Sequence, residues 1–341
     1  GATASAGSGG AGAGMVGVAG GGDAAGSAAG GVVGSGGTTA AAGAPGSAGA
    51  VGGPVVPTEA AGKYRFSYGE TIFEIDPQTG ARVSKLSLAG ADMIVTSASD
   101  PTTWGSVFWT SPRIGVWSPE WPPPVAIDNG PYTATISGTH LLTTGTADAT
   151  LGVSVAKDYS ADSASGWITI NYTINASKAR SAAPWEVSRV PRGGIAFFPL
   201  GTASSLKAGP LTVTQSGGMV WFDDGPKTAT SPDGAKLVAD GANGWEAYVV
   251  GGNLFLKRFA DQPVSAQAPG GEGEICLYPG GKTGEPGWVE FEVQGPYSAI
   301  AANGSLSWKV QWRLVKIPST VTVAVGSATL VAFAQQQAAI P

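Results

Sequence analysis

The chain has 341 residues, of which 13% are charged, with 54 Gly, 11 Trp and a formal net charge of -5. That balance, without any basic cluster, argues against a nucleic-acid partner. A single His and a single Cys argue against His-built metal centres, Ser-His-Asp triads of the usual kind and internal disulfides, and no cofactor is expected.

Residues 1-60 are mostly Gly, Ala, Ser, Thr and Val, with no aromatic side chain, no Lys or Arg, and only Asp23 and Glu59 charged. Such a segment has nothing large and apolar to offset roughly 1–2 kcal/mol of backbone entropy per residue, so it is expected to be a disordered linker. Gly interrupts Met15, Val16 and Val18 too often for a membrane span, which needs ~20 consecutive apolar residues. Linkers of this type hold folded domains away from a bacterial membrane or wall. The reading is therefore a secreted or cell-envelope protein, trimmed at Gly1, with room for a lipid anchor ahead of it.

From Lys63 onward the recurring period is two, which puts alternate side chains on opposite faces of a strand. Short runs at Tyr64-Phe66-Tyr68, Leu151-Val153-Val155 and Leu254-Leu256 follow it. So do Ile168, Ile170, Tyr172 and Ile174, then Val289, Phe291 and Val293, and finally Trp308, Val310, Trp312 and Leu314. Turn signals separate them at Asp76-Pro77-Gln78-Thr79-Gly80, Asp128-Asn129-Gly130, Ser231-Pro232-Asp233-Gly234, Pro279-Gly280-Gly281 and Ala302-Asn303-Gly304. No stretch after the linker carries a helical apolar period long enough for a substantial helix. The expected fold is all-β, a large two-sheet antiparallel sandwich over residues 61-341. A division into two smaller β domains near residues 201-210 is the alternative.

Four stretches carry a resemblance. Thr71-Ile72-Phe73-Glu74-Ile75 leads to Arg82-Val83-Ser84-Lys85-Leu86, and Ser106-Val107-Phe108-Trp109-Thr110-Ser111-Pro112-Arg113 runs into Trp117-Ser118-Pro119-Glu120-Trp121-Pro122-Pro123-Pro124. Pro184-Trp185-Glu186-Val187-Ser188-Arg189 precedes Gly193-Gly194-Ile195-Ala196-Phe197-Phe198-Pro199, and Trp288-Val289-Glu290-Phe291-Glu292-Val293-Gln294 precedes Trp308 and Trp312. In this order they resemble the galactose-mutarotase-like superfamily, and within it a bacterial domain of unknown function. The resemblance implies the supersandwich fold and a sugar ligand.

In true mutarotases a Glu on a late strand takes the anomeric proton and a His donates to the ring oxygen. By resemblance Glu292 would be the base, while residues 185–192, where the His would fall, contain none. Arg189 and Arg192 would occupy that side of the cleft, and Arg is a poor general acid at neutral pH. Arg113 would match a substrate-holding Arg. The isolated His140 reads as an ordinary strand-edge residue, and Cys276 as a small buried hydrophobe.

Independently of the resemblance, pyranose rings stack their C–H faces on aromatic rings while carboxylates, amides and Arg bond their hydroxyls. Trp104, Trp109, Trp117 and Trp121 crowd one Pro-rich segment, which is expected to be an ordered loop over a sheet end. Alternation puts Glu290, Glu292 and Gln294 on one strand face. The candidate carbohydrate-binding residues are Arg113, Trp117, Trp121, Trp185, Arg189, Arg192, Glu290 and Gln294, with Glu292 as the candidate catalytic residue. Three functions stay open: a carbohydrate-binding domain lacking a complete acid/base pair; a carbohydrate-active enzyme pairing Glu292 with Glu290, Glu186 or Asp224; and a structural, self-associating surface protein with a filled cleft.

Overall fold

The computed structural model describes residues 52–225, 235–281 and 287–339, so most of the linker and the Ser231-Pro232-Asp233-Gly234 turn lie outside the described residues. The strands in chain order are β1 (Thr58–Ala60), β2 (Lys63–Tyr68), β3 (Thr71–Asp76), β4 (Arg82–Leu88), β5 (Ala91–Asp92), β6 (Ser106–Ser111) and β7 (Tyr132–Ser137). They continue as β8 (His140–Gly145), β9 (Val153–Asp162), β10 (Trp167–Ala176), β11 (Arg180–Pro191), β12 (Ile195–Pro199), β13 (Thr214–Ser216) and β14 (Met219–Asp223). The last are β15 (Leu237–Ala239), β16 (Trp245–Val250), β17 (Asn253–Phe259), β18 (Ile275–Gly280), β19 (Trp288–Gln294), β20 (Ser298–Ile300) and β21 (Gly304–Lys316). Among the described residues the α-helices are α1 (Val125–Asp128), between β6 and β7, and α2 (Ala328–Ala338), after β21.

An eleven-stranded sheet runs β1-β2-β3-β4-β6-β11-β19-β18-β15, with β5 and β20 attached to β4 and β11. A ten-stranded sheet runs β13-β14-β12-β16-β17-β21-β10-β9-β8-β7. Every ladder is antiparallel, and the sheets pack face to face as a sandwich. Between them Phe73 meets Trp312, Phe108 stacks on Tyr172 at 4.3 Å, and Phe255 packs against Phe291. The described residues from 52 onward form one compact unit, so no boundary falls near 201-210.

Two expectations need correction. The fold starts ahead of residue 61: β1 pairs with β2, and Pro54 bridges to Asp162. A substantial helix also exists. The ten-stranded sheet buries apolar side chains on both faces of β12, β14, β16 and β17, and Phe197, Trp221, Trp245, Leu254 and Leu256 point away from the sandwich core. α2 covers them with Leu330 and Ala334. Ser327 caps its N-terminus by accepting from the Leu330 N–H, while Arg313 and Arg258 donate to the Gln337 and Ala338 carbonyls at its C-terminus. With only two buried residues, α2 gives little apolar period to read from sequence.

A lysine and two glutamates join the sheets. Lys257, Glu186 and Glu246 are fully buried; Lys257 Nζ lies 3.0 Å from Glu186 and 3.7 Å from Glu246. Tyr172 and Trp312 donate to the Glu186 carboxylate, and Lys257 donates to the Phe291 carbonyl. Burial pushes the Glu246 carboxyl well above the usual carboxylate range, against the pull of Lys257.

Candidate functional site

Glu186 faces the sandwich interior, so its neighbours in β11, Trp185 and Val187, and then Arg189, face the other side of the eleven-stranded sheet. Register carries that face across the sheet. Trp185 lies opposite Trp109 of β6 and Gln294 of β19, Val187 opposite Glu292, and Arg189 opposite Glu290. On β18, Cys276 is the cross-strand neighbour of Glu292 and Tyr278 that of Glu290. The alternation read from residues 288–294 therefore places Glu290, Glu292 and Gln294 on one face, together with Trp185 and Arg189.

Over this face lies the Pro-rich loop after β6. Trp117 stacks on Trp185 with ring centres 6.3 Å apart, Trp109 meets Trp185 edge-on at 4.9 Å, and Trp121 stands edge-on to Trp109 at 5.7 Å. The Trp109 Nε1 donates to Asp128, which ties the loop's far end to β6. Trp117 and Trp185 are buried, whereas Trp121 is 58% exposed.

Glu292 is fully buried. Its Oε2 accepts from Trp185 Nε1 at 2.7 Å and lies 3.6 Å from Lys236 Nζ, but its Oε1 has no hydrogen-bond partner. Gln294 donates to Glu272, and its Oε1 is likewise unpartnered; so is Trp117 Nε1. Three buried polar atoms without partners thus surround one indole, in a class of group that is nearly always satisfied. Arg189 clamps Glu290 through Nε and a terminal nitrogen, both near 3 Å, and its guanidinium lies 5.5 Å from the Trp109 ring centre.

Burial raises the Glu290 carboxyl to about 7; Arg189 opposes the rise and the Glu292 charge adds to it. For Lys236, burial opposes the charge, but Cys276, Glu292 and Glu272 outweigh it and raise its pKa. Burial also lifts the Cys276 thiol well above its usual value, so the thiol stays protonated at neutral pH.

Arg192 does not belong to this group. It follows the end of β11, binds Asp224 at 2.7 Å and reaches the Gly280 carbonyl, which ties the β12–β14 region to β18. Glu186 and Asp224 are also removed as partners for Glu292, one by facing the interior and the other by its pair with Arg192, which leaves Glu290. Arg113 is half-buried where the loop leaves β6, and its carbonyl accepts from the Val116 and Trp117 N–H groups; no side-chain ion pair forms among the described residues. His140 is on β8, bonded to Asp158 at 2.7 Å and far in the topology from this face. Sequence reasoning missed Lys236, which precedes β15 and has no periodicity to expose it, and placed Trp109 in the crowd without assigning it.

Among solved structures, the Slr1438 protein of Synechocystis matches with a TM-score of 0.51 and 13% identity, covering 76% of this chain and 98% of its own. A galactose mutarotase-like protein of Lactobacillus casei matches with a TM-score of 0.50 and 12% identity, covering 74% of this chain and 100% of its own. A putative mutarotase of Salmonella typhimurium gives a TM-score of 0.50 and 12% identity, covering 77% and 94% of the two chains. The fold is galactose-mutarotase-like. No curated protein matches the chain. The model of the family described as Domain of unknown function (DUF4380) matches residues 113–315.

Proposed function

For a chain that belongs to the DUF4380 family and has a galactose-mutarotase-like fold, we propose that the face bearing Glu292 binds carbohydrate. One observation carries this reading: the unpartnered Glu292 Oε1, Gln294 Oε1 and Trp117 Nε1 around Trp185. Two acceptors and one donor match sugar hydroxyls, each of which donates one hydrogen bond and accepts others. The indoles of Trp117 and Trp185 supply the apolar walls that a pyranose C–H face packs on. Lys236 lies beside the Glu292 carboxyl and Arg189 bonds the Glu290 carboxyl, which fixes the orientation of both groups beside the ligand. An arginine locked onto Glu290 is no substitute for the histidine of a mutarotase, so binding is favoured over ring opening. The Gly, Ala and Ser composition of residues 1-60 supports a location outside the cytoplasm.

The test is titration calorimetry of the full chain against neutral monosaccharides, beside Glu292→Gln and Arg189→Ala. Saturable binding that weakens tenfold or more in Glu292→Gln is expected, since leaving a buried hydrogen-bonding group of the complex without its partner costs about 1–3 kcal/mol. Unchanged binding in both variants would remove the site from this face.

A second reading, a carbohydrate-active enzyme, is favoured by Glu290, whose raised pKa of about 7 beside Glu292 suits a general acid. Exchange between the anomers of a bound sugar, followed by NMR and lost in Glu290→Gln, would establish it. Binding without exchange leaves a binding domain.

A further inference from the structure

The stretch from Arg113 to Pro123 is held over the Glu292 face by side-chain packing rather than by hydrogen bonds. Among the described residues its hydrogen bonds close on itself: the Val116 and Trp117 N–H groups donate to the Arg113 carbonyl, and the Gly115 N–H donates to Glu120. Pro119, Pro122 and Pro123 have no N–H to offer the sheet. What attaches the stretch to β11 and β6 is Trp117 stacked on Trp185 and edge-on to Trp109, with Trp121 edge-on to Trp109 beside it.

That stack is too tight to hold a ligand. The Trp117 and Trp185 ring centres are 6.3 Å apart, with planes 28° from parallel. A pyranose between them needs a van der Waals contact of about 3.5–4.0 Å on each of its faces, so the rings would have to stand more than about 7–8 Å apart. Trp117, Trp185 and Glu292 are all buried, so with Trp117 in place a sugar reaches neither the indole face nor the free Glu292 Oε1. The closed stack also leaves Trp117 Nε1, Glu292 Oε1 and Gln294 Oε1 without partners, a cost that ligand hydroxyls would remove. Glu292 stands at the rim of the Trp185 indole, where it accepts from Nε1, and Gln294 is the cross-strand neighbour of that residue. Lys236 Nζ lies 5.3 Å from the same ring centre and adds a donor.

We propose that Trp117 is a moving wall: the 113–123 stretch lifts to admit a pyranose, and Trp117 then closes on one face of the sugar while Trp185 holds the other. This rests on the sugar site proposed above and names its ligand class. A ring held between two indoles presents C–H groups on both faces, so its hydroxyls are all equatorial and point outward to Glu292 Oε1 and Gln294 Oε1. The gluco and xylo configurations meet that condition. The galacto and manno configurations each set one axial hydroxyl against an indole face, where it loses water without gaining an equivalent acceptor.

The experiment has two arms, both on the full chain. Hydrogen exchange followed by NMR compares two indole N–H groups that each donate to a buried glutamate, Trp185 to Glu292 under the stretch and Trp312 to Glu186 inside the sandwich. Trp185 is expected to exchange at least about a hundredfold faster, because lifting of the stretch releases it while Trp312 waits for wider unfolding. Equal rates overturn the moving wall without touching the sugar reading. In the second arm, calorimetry compares the methyl β-D-pyranosides of glucose, xylose, galactose and mannose. Glucoside and xyloside are expected to bind at least about tenfold more tightly than the other two, and Trp117→Ala to bring that ratio toward one while Trp117→Phe keeps it. Equal affinity for the four, tighter binding of an axial sugar, or a preference that survives Trp117→Ala overturns the double stack and leaves the sugar site standing. Absence of binding to all four overturns the sugar reading, and the double stack with it. The exchange contrast and the ranking of glycosides are both read on the native chain, so they decide the matter if Trp117→Ala does not fold.

Discussion

Glu292 keeps one carboxylate oxygen on Trp185 and the other bare, in a position with no exposure to solvent. Trp185→Phe retains an aromatic ring but removes the Nε1 donor. A buried acceptor that loses its partner costs about 1–3 kcal/mol, so urea denaturation should show a loss of that size with little change in slope. Another buried titratable group gives a pH signature. Lys157 donates to the Gly80 and Ala81 carbonyls, and burial lowers its pKa from 10.5 to about 7, with Arg82 adding to the drop. The unfolded chain therefore binds more protons at this residue between about pH 7 and 10.5, so its contribution to stability rises with pH across that window and is lost as pH falls through 7. The slope for one proton is at most about 1.36 kcal/mol per pH unit. Thermal unfolding from pH 6 to 10 should show that slope in the native chain minus Lys157→Met; parallel curves would show that Lys157 does not titrate in the window. At this scale the sequence was informative where strand alternation applied. Residues 185–189 and 290–294 could be placed on a face by parity, but Lys236 and the pairing of Arg192 with Asp224 depend on loops that no local period encodes.

At the scale of elements, the buried Lys257 links β17 to Glu186 of β11 and Glu246 of β16. Replacing it with Met leaves two buried acids facing each other without a cation. Breaking a buried pair from one side is expected to cost about 3–5 kcal/mol, measured by chemical denaturation, whereas Glu246→Gln should cost far less because its oxygens accept no hydrogen bond. The helix α2 gives a separable test. Removing residues 328–341 exposes the apolar face of β12, β14, β16 and β17 while leaving the inter-sheet core in place. The expected outcome is increased binding of a hydrophobic dye and self-association at unchanged far-ultraviolet strand signal. This helix was legible only indirectly. Met219, Val220, Trp221 and Phe222, and Leu254, Phe255 and Leu256, are continuous apolar runs, and such a run in an antiparallel sheet means that both faces are covered. What covers the second face lies at the other end of the described chain, in a segment whose own pattern is weak.

For the whole molecule, the sandwich was readable because its central strands, β10, β19 and β21, alternate strictly and its turns carry Gly, Asn and Asp. Their order in the sheets was not, since register between distant strands is set by packing rather than by local pattern. That packing links residues far apart in the chain: Thr173 meets Ser307 across 134 positions, and Trp312 donates to Glu186 across 126. Long loops of this kind must close before their contacts stabilise anything, which slows folding. During synthesis, the hairpins from β7 to β10 leave the ribosome well before β21 exists. Until then the edge of β10 that will pair with β21 has no partner, and the indoles of Trp308 and Trp312 that will cover its apolar side are still untranslated. The nascent chain must keep that edge from pairing with another copy for the time needed to add more than a hundred residues, and the antiparallel β9 partner protects only its other side.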